Sequence, residues 1–115
     1  MGFSIIIPAF NEERGLSEVL GNLTKLFPAD EIIVIDDGST DGTQKVASAF
    51  KGIKLIKHEK NYGYGASLKT GIAQASNEKL VFFDADGQHD AKIIPDLVAL
   101  LDECDLVAGV RVNDL

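Results

Sequence analysis

The chain has 115 residues, of which 45% are hydrophobic and 25% charged, and its net charge is −7. These values describe one ordinary globular domain over residues 1–115, and the acidic balance argues against a nucleic-acid partner. Cys104 is the only cysteine, which excludes an internal disulfide and a cysteine zinc site and predicts a reducing, cytoplasmic location. No apolar run approaches the roughly 18 residues of a membrane span, so we expect none in this chain.

The first predicted unit is a buried strand followed by an amphipathic helix. Residues 3–7 form a continuous β-branched run, typical of a strand that is buried on both faces. Asn11 is predicted to cap a helix that carries Glu12 and Glu13 in its first turn. Residues 28–30 are expected to end this helix. Its core-facing stripe has helical spacing and consists of Leu16, Val19, Leu20, Leu23, Leu26 and Phe27.

Two further units follow in the same alternating order. Residues 31–35 predict a second strand, closed by an acidic turn at residues 36–42 in which Thr40 or Asp41 caps a short helix. Residues 53–57 alternate apolar and basic side chains, which predicts a third strand at a sheet edge with one more solvent-exposed face. A glycine-rich turn then opens a third helix, whose N-terminus suits an anion. This helix is expected to pack through Leu68, Ile72, Ala73 and Ala75.

The fourth predicted strand, residues 79–83, ends on the acidic sequence Asp84-Ala85-Asp86. Two carboxylates spaced i, i+2 can reach one hard cation, and Gln88 offers a neutral oxygen nearby. Mg²⁺ and Mn²⁺ favour such oxygen ligands and complete their shells with substrate phosphates. The alternative is a solvated Asp-Gly turn, because both residue types are common in turns. A helix around residues 97–101 and a fifth strand at residues 106–108 are also predicted.

Regular alternation of strands and helices predicts an α/β fold of three layers. Its mostly parallel, Rossmann-like sheet would have helices on both faces. In such sheets ligands bind beyond the carboxyl ends of the strands, and several polar residues fall at those ends. They are Asn11, Glu12, Asp36, Asp37, Asp84 and Asp86. Because carboxylates repel one another at short range, we expect a cation and a ligand among them.

Four stretches carry a resemblance to glycosyltransferase family 2, whose nucleotide-sugar-binding fold is called GT-A. They are SIIIPAFNEE at residues 4–13, VIDDGSTDGT at 34–43, NYGYGASLKTG at 61–71 and DADGQH at 84–89. The third stretch and Gln88-His89 resemble the dolichyl-phosphate mannosyltransferase branch most. Asp90 stands where the family usually has proline, and Val110 where it has serine, which leaves the role of Arg111 open. The resemblance covers the donor-binding half of such an enzyme, so we expect the chain to be truncated at its C-terminus.

The resemblance implies a nucleotide-sugar site in the loops that follow the strands. Its members would be Pro8, Ala9, Phe10, Asn11, Glu12, Asp36, Asp37, Gly38, Ser39, Asn61, Gly63, Gly65, Lys69, Asp84, Ala85 and Asp86. Asp84 and Asp86 would be catalytic and would hold the metal together with Gln88.

Several of these residues also have a purely structural interpretation. Glu12 is a favourable first-turn charge, and one of Asp36 and Asp37 could serve only to cap the next helix. Lys69 could be a solvated helix lysine, and His89 a helix-start residue.

The implied reaction transfers a hexose from a GDP- or UDP-hexose to a polyprenyl phosphate or a glycan, with Mg²⁺ or Mn²⁺ as cofactor. We expect this chain to bind the donor but to lack the acceptor site, and so to be inactive alone. The full-length protein would work at the cytoplasmic face of a membrane, and an exposed third-strand edge offers a surface for a homodimer.

Three alternatives stay open at this stage. A receiver-type signalling domain needs a phosphoacceptor aspartate after its third strand and a lysine after its fifth. The chain has residues 57–59 and 109–111 at those places, Lys-His-Glu and Gly-Val-Arg. A sugar-nucleotide pyrophosphorylase would have a loop rich in glycine and arginine after its first strand, where this chain has Pro-Ala-Phe-Asn. The third alternative is a non-catalytic nucleotide-binding domain.

Overall fold

The computed structural model describes residues 3–27 and 30–85, and strands and helices alternate throughout them. The elements in chain order are β1 (Ser4–Ala9), α1 (Glu13–Leu26), β2 (Glu31–Asp36), α2 (Thr43–Ser48), β3 (Lys54–Lys57), α3 (Tyr64–Gln74) and β4 (Leu80–Phe82). Each element predicted between residues 3 and 83 is confirmed. The helix predicted around residues 97–101 and the strand predicted at 106–108 lie outside the described residues.

The four described strands form one parallel sheet in the order β3-β2-β1-β4. The chain moves outward from β1 to β3 and then returns to the other side of β1, so the strand order reverses between β1 and β4. The predicted edge position of β3 is confirmed for the described sheet. A receiver domain places its third strand beside its first, whereas here β3 pairs with β2. The strand order therefore excludes the receiver fold.

Helices cover both faces of the sheet, as predicted. Side chains alternate along a strand, so Ile5 and Ile7 of β1 face one side and Ile6 faces the other. The first side packs against α1 and α2 through residues such as Leu20 and Ala47. The second side packs against α3, with Leu68 partly buried on it. Burial on both faces accounts for the unbroken β-branched sequences of β1 and β2.

The predicted core stripe of α1 is confirmed except at its last turn. Leu16, Val19, Leu20 and Leu23 are buried. Phe27 packs edge-on against Phe3, with 5.5 Å between ring centroids. Leu26, however, is 46% exposed, so its predicted burial was wrong. It lies roughly 80° around the helix axis from Leu16, at the margin of the stripe.

The packing predicted for α3 is confirmed at Leu68 and Ala75, which are partly buried against the sheet, and was wrong at Ile72 and Ala73. Ile72 is 44% exposed and Ala73 is also exposed, whereas Ser67 and Gly71 are buried. A Cβ added at Gly71 would overlap the side chain of Ile6. The helix thus lies so close to β1 that only glycine fits at this position. None of the described helices combines the length and apolarity needed to cross a membrane.

The Glu31 carboxylate ties together the amino ends of the strands and the loop before β4. It accepts hydrogen bonds from the Ser4 hydroxyl at 2.7 Å and from the Ser76 amide and hydroxyl at 2.7 and 2.9 Å. The Lys54 ammonium lies 3.8 Å away. Burial, the largest influence, raises the pKa of Glu31, but the bonds from Ser4 and Ser76 outweigh it, so the pKa lies below its usual value.

Gly71→Ala is expected to lower the free energy of unfolding by about 1–3 kcal/mol, because the new methyl group must displace Ile6. Gly21→Ala is the matched control, since Gly21 is also inside a helix and a Cβ there meets nothing within 4 Å. That substitution should be neutral or stabilise by up to about 1 kcal/mol. Urea denaturation measures both. Equal stability of Gly71→Ala and the unsubstituted chain would contradict the close approach of α3.

Glu31→Gln is expected to destabilise the protein at pH 7 and to have a smaller effect in acid. The folded-state pKa of Glu31 is lowered, so its stabilisation is complete above the unfolded-state pKa of about 4.3. That contribution is lost as the pH falls through the lower folded-state pKa. Urea denaturation between pH 7 and about pH 3 should show the difference shrinking below about pH 4. Glu18→Gln makes the same change of charge at an exposed position of α1 and is the control. A Glu31→Gln effect that is constant with pH would contradict this assignment.

Candidate functional site

A cleft of about 300 Å³ opens at the carboxyl ends of the strands, beside the border of β1 and β4. Ligands of open α/β sheets usually bind at this point, where the strand order reverses. The volume lies near the lower end of those of small-molecule pockets. It is lined by residues from the end of β1, from the loops that follow the four described strands and from the first turn of α3: Pro8, Ala9, Phe10, Glu12, Asp37, Asn61, Gly63, Tyr64, Ser67, Asp84 and Ala85.

The cleft brings together many of the residues that the sequence predicts for the site. Those on its lining are Pro8, Ala9, Phe10, Glu12, Asp37, Asn61, Gly63, Asp84 and Ala85. Those that do not line it are Asn11, Asp36, Gly38, Ser39, Gly65 and Lys69. Asp86 and Gln88 lie outside the described residues.

Asn11 links two loops and does not cap α1, so the predicted cap was wrong. It has a φ of 52°, and its side-chain oxygen accepts hydrogen bonds from the amides of Thr40 at 2.8 Å and Asp41 at 3.3 Å. Its own amide donates to the Ser39 hydroxyl at 2.9 Å. The N-cap of α1 is Glu12, which makes no side-chain capping bond. The left-handed backbone turns the Asn11 side chain away from its own helix and across to the β2–α2 loop.

The β2–α2 loop in turn binds the amides at the start of α1. The Glu12 amide donates to the Thr43 hydroxyl at 2.9 Å, and the Glu13 amide to the Asp41 carboxylate at 3.4 Å. Asp41 also accepts from the amide of Thr43, the first residue of α2, at 2.9 Å. The N-cap residue of α2 is Gly42, and not Thr40 or Asp41 as predicted. Asp41 lies one residue before the N-cap and still accepts the first helical amide. These bonds fix the position of the loop that carries Phe10 and Glu12 to the cleft.

Of the two adjacent acids at the end of β2, Asp37 lies on the cleft and Asp36, the last residue of the strand, does not. Asp36 is 3% exposed and accepts a hydrogen bond from the Ser39 amide at 3.0 Å, which is a turn contact. Asp37 is 4% exposed, and both of its oxygens have partners. Oδ1 lies 2.8 Å from Nδ1 of His58 and accepts from the Tyr62 amide at 2.9 Å, while Oδ2 accepts from the Gly63 amide at 2.9 Å.

These partners compensate the charge of Asp37 inside the protein. Burial, the largest influence, raises the pKa of Asp37, but the bonds from His58 and from the amides of Tyr62 and Gly63 outweigh it and hold the pKa below its usual value. The repulsion predicted among the acids at the strand ends is therefore offset at Asp37 by these three partners. Among residues 3–27 and 30–85, no group of three or more His, Cys, Asp or Glu side chains is placed to hold a metal. Asp84, the described member of the predicted metal-binding set, lies on the cleft.

Two glycines have conformational roles at this edge of the sheet. Gly38 has a φ of 79°, and a Cβ there would overlap the backbone of Lys60 and Asn61. It therefore allows the β2–α2 and β3–α3 loops to touch. Gly63 has a φ of 103° and is the N-cap of α3 on the cleft wall. Its amide binds Asp37, so this carboxylate is the anion at the helix N-terminus, where the sequence predicts a ligand.

Tyr64 and Ser67 line the cleft but were missed in the prediction of the site. They are residues of the first turn of α3 and, three positions apart, share one face of the helix. Ser67 is buried and donates a hydrogen bond to the Gly63 carbonyl at 3.2 Å. The signal that could have found them is the helix start at Gly63, because a helix that begins beside the strand ends turns one face of its first turn toward the site.

The strand order and the position of the cleft define an α/β domain of the kind that binds nucleotides. The chain matches Glycosyl transferase family 2 over residues 4–114, and it belongs to that family. The family expected from the resemblance is thus confirmed.

Relatives with names and structures agree with this assignment. Dodecaprenyl-phosphate galacturonate synthase of Rhizobium johnstonii is 31% identical over 96% of this chain and 36% of its own length. UDP-N-acetylglucosamine–dolichyl-phosphate N-acetylglucosaminyltransferase of Methanococcus voltae is 34% identical over 96% of this chain and 52% of its own length. Glucosyl-3-phosphoglycerate synthase of Mycobacterium tuberculosis, solved with Mn²⁺ and UDP-glucose, has a TM-score of 0.76 at 32% identity, over 87% of this chain and 39% of that one. The chain thus spans about half or less of the length of these relatives, and the expected GT-A fold is confirmed.

Asn11→Ala is expected to destabilise the protein by about 1–3 kcal/mol, because it removes the acceptor of the Thr40 and Asp41 amides and disfavours the positive φ. Asn11→Asp keeps an acceptor oxygen and tolerates the same backbone, so most of the stability should be retained. Urea denaturation of both variants measures the difference. If Asn11→Ala were as stable as Asn11→Asp, the side-chain oxygen would not be what links the two loops.

Proposed function

We propose that this chain is the donor-binding part of a metal-dependent glycosyltransferase. The reaction would move a hexose from a UDP- or GDP-hexose to a polyprenyl phosphate or a glycan. The observation that carries the proposal is the cleft at the β1–β4 border, where Phe10, Asp37 and Asp84 meet from three different loops. The family membership supports it, as do two relatives named for polyprenyl-phosphate substrates and a structural neighbour solved with Mn²⁺ and UDP-glucose.

The nucleoside would bind between the β1–α1 loop and Asp37. Pro8 fixes the backbone beside the site, and Phe10, 43% exposed, offers a ring face for a flat base. An ionised carboxylate has about four acceptor positions, and His58, Tyr62 and Gly63 take three of those on Asp37 within the described part of the chain. The remaining one, on Oδ2, can accept from a base N–H or a ribose hydroxyl. Among the two adjacent acids, Asp37 is therefore our candidate for nucleoside recognition.

The diphosphate needs positive charge, and the described part of the cleft offers little. Its ionisable lining residues are acids, Glu12, Asp37 and Asp84, together with Tyr64. The N-terminus of α3 already has the Asp37 carboxylate on the Gly63 amide. A cation bound at Asp84 would neutralise a diphosphate beside these groups.

We propose Asp84 and Asp86, with Gln88, as the residues that hold Mg²⁺ or Mn²⁺. Asp84 follows β4 directly and supplies the hard oxygen that these ions prefer. When bound, the metal offsets the negative charge that develops on the departing diphosphate. If the acceptor is a polyprenyl phosphate, its attacking oxygen is already anionic near neutral pH, so no strong general base is required.

The acceptor site is proposed to lie in the part of the longer relatives that this chain does not span. A polyprenyl phosphate is anchored in a bilayer, and the whole protein would then work at the cytoplasmic face of a membrane. We do not extend the proposal to a homodimer through β3. That strand has exposed lysines at both ends, Lys54 and Lys57, and edge lysines discourage pairing of strands.

Calorimetric titration of UDP and GDP, with and without MnCl₂, tests the proposal. We expect the unsubstituted chain to bind at least one of the two more tightly with the metal. Asp84→Asn and Asp86→Asn should each weaken the metal-dependent affinity by about tenfold or more, about 1.4 kcal/mol, because each removes an anionic ligand. Glu18→Gln makes the same change of charge at an exposed position of α1 and should leave the affinity unchanged.

Two results would count against this assignment. Unchanged affinity in Asp84→Asn and Asp86→Asn would refute the metal site. Absence of binding to either nucleotide, with or without Mn²⁺, would refute the proposed donor site itself. A further series of UDP-, GDP- and dTDP-hexoses, read by thermal shift, identifies the base and the sugar.

A further inference from the structure

The loop between β3 and α3 forms part of the cleft wall although little of it is buried. Asn61 and Gly63 line the cleft, whereas Asn61 and Tyr62 are exposed, with Tyr62 at 50%. Burial of apolar surface therefore contributes little to its position. The Asp37 carboxylate holds it instead, through the amides of Tyr62 and Gly63 at 2.9 Å each.

Asp37 is itself oriented by His58, which does not line the cleft. The His58 amide donates to the Asp36 carbonyl at 2.8 Å and so extends the pairing of β2 and β3. Nδ1 of its ring lies 2.8 Å from Oδ1 of Asp37, and Nε2 lies 2.8 Å from the Thr70 hydroxyl on α3. The two side chains are only 12% and 5% exposed, so solvent screens the pair weakly. The Tyr62 ring packs edge-on against His58, with 5.3 Å between centroids.

The direction of the hydrogen bond to Asp37 follows from its acceptor. An ionised carboxylate only accepts, so Nδ1 of His58 carries a hydrogen. The Thr70 hydroxyl also lies 3.0 Å from the Ala66 carbonyl. It can donate to that carbonyl and accept from Nε2–H, or turn and donate to a bare Nε2. Both ring nitrogens have a hydrogen-bond partner in either arrangement. Only the hydrogen on Nδ1 is needed to orient Asp37.

We propose that His58 is a positioning residue for donor binding, which orients Asp37 so that its carboxylate holds the Tyr62–Gly63 backbone on the cleft wall. The inference rests on the proposed function, because it takes the cleft to be the donor site. His58 acts only through Asp37. Without it, an almost buried carboxylate would keep two amide donors and lose its third partner, and it would be free to rotate away from both the loop and the cleft.

Neighbouring groups do not provide a substitute for His58. Lys60 lies over the Tyr62 ring at 5.6 Å from its centroid, on the exposed loop. Lys57, the preceding residue on β3, is exposed, and alternation along the strand turns it to the opposite side from His58. Thr70 faces the other ring nitrogen. Within the described residues, His58 is the side chain that donates to Asp37.

Three substitutions of His58 distinguish the role of Nδ1 from that of Nε2. His58→Asn places an amide nitrogen at the same number of bonds from Cβ as Nδ1 and can still donate to Asp37. His58→Gln places its nitrogen at the position of Nε2, toward Thr70. His58→Leu removes both donors but keeps an apolar side chain of similar bulk. The Asn and Gln variants are matched controls for each other, because both replace the ring by a neutral amide.

The test has two measurements on the same chain. Amide hydrogen exchange by NMR, without ligand, should be about tenfold or more faster at Tyr62 and Gly63 in His58→Leu and His58→Gln, and near the original rate in His58→Asn. Amides of β1 serve as reporters of global stability. Titration of UDP or GDP with MnCl₂ should show about tenfold weaker binding in the Leu and Gln variants and recovery to within about threefold in His58→Asn.

The two measurements distinguish failure of this inference from failure of the proposed function. Unchanged exchange at Tyr62 and Gly63 in His58→Leu, or recovery by Gln but not by Asn, would overturn the positioning role. If amide exchange at Tyr62 and Gly63 accelerated in every variant only as much as exchange at the β1 amides, His58 would have a general structural role instead. If the unsubstituted chain binds neither nucleotide, the proposed function fails and the exchange data alone decide whether His58 positions the loop. Should His58→Leu fail to fold, the Asn and Gln variants carry the comparison.

Discussion

The Asp37 carboxylate is almost buried, and its charge has to be satisfied by groups inside the protein. The groups that satisfy it are the side chain of His58 and two amides of the loop that begins α3. One side chain thus links the end of β2, the end of β3 and the N-terminus of α3. The shape of the cleft depends on this link, because Gly63, whose amide binds Asp37, lines the cleft.

A second link operates on the other side of the cleft. Asn11, in a left-handed conformation, accepts the amides of Thr40 and Asp41, while Asp41 and Thr43 accept the amides at the start of α1. Neighbouring parallel strands bring these loops together, and side-chain-to-backbone hydrogen bonds then fix their conformation. Asn11, which does not line the cleft, therefore helps to fix the loops that do.

The structure reduces the number of acids at the strand ends that argue for a bound metal. Acids cluster at the strand ends as predicted, but Asp36 is a turn acceptor and Asp37 is compensated by His58 and backbone amides. The other two acids that line the described part of the cleft are Glu12 and Asp84. A diphosphate placed beside them needs a cation, and Asp84, next to the predicted partner Asp86, is where the chain offers a ligand for it.

The sequence by itself determined the alternation of strands and helices, the burial of β1 and β2, the edge position of β3 and the family. These follow from local periodicity and from motifs that are contiguous in the chain. It also identified which loops form the site, because all parallel strands end at the same edge. The tertiary structure decided which side chains of those loops reach the cleft. Asp37 rather than Asp36, the cross-loop role of Asn11, the small-residue packing at Gly71 and the contribution of Ser67 all depend on contacts between segments far apart in sequence. Spacing along one segment carries no information about such contacts, since the partner that selects a rotamer or a backbone conformation belongs to another loop.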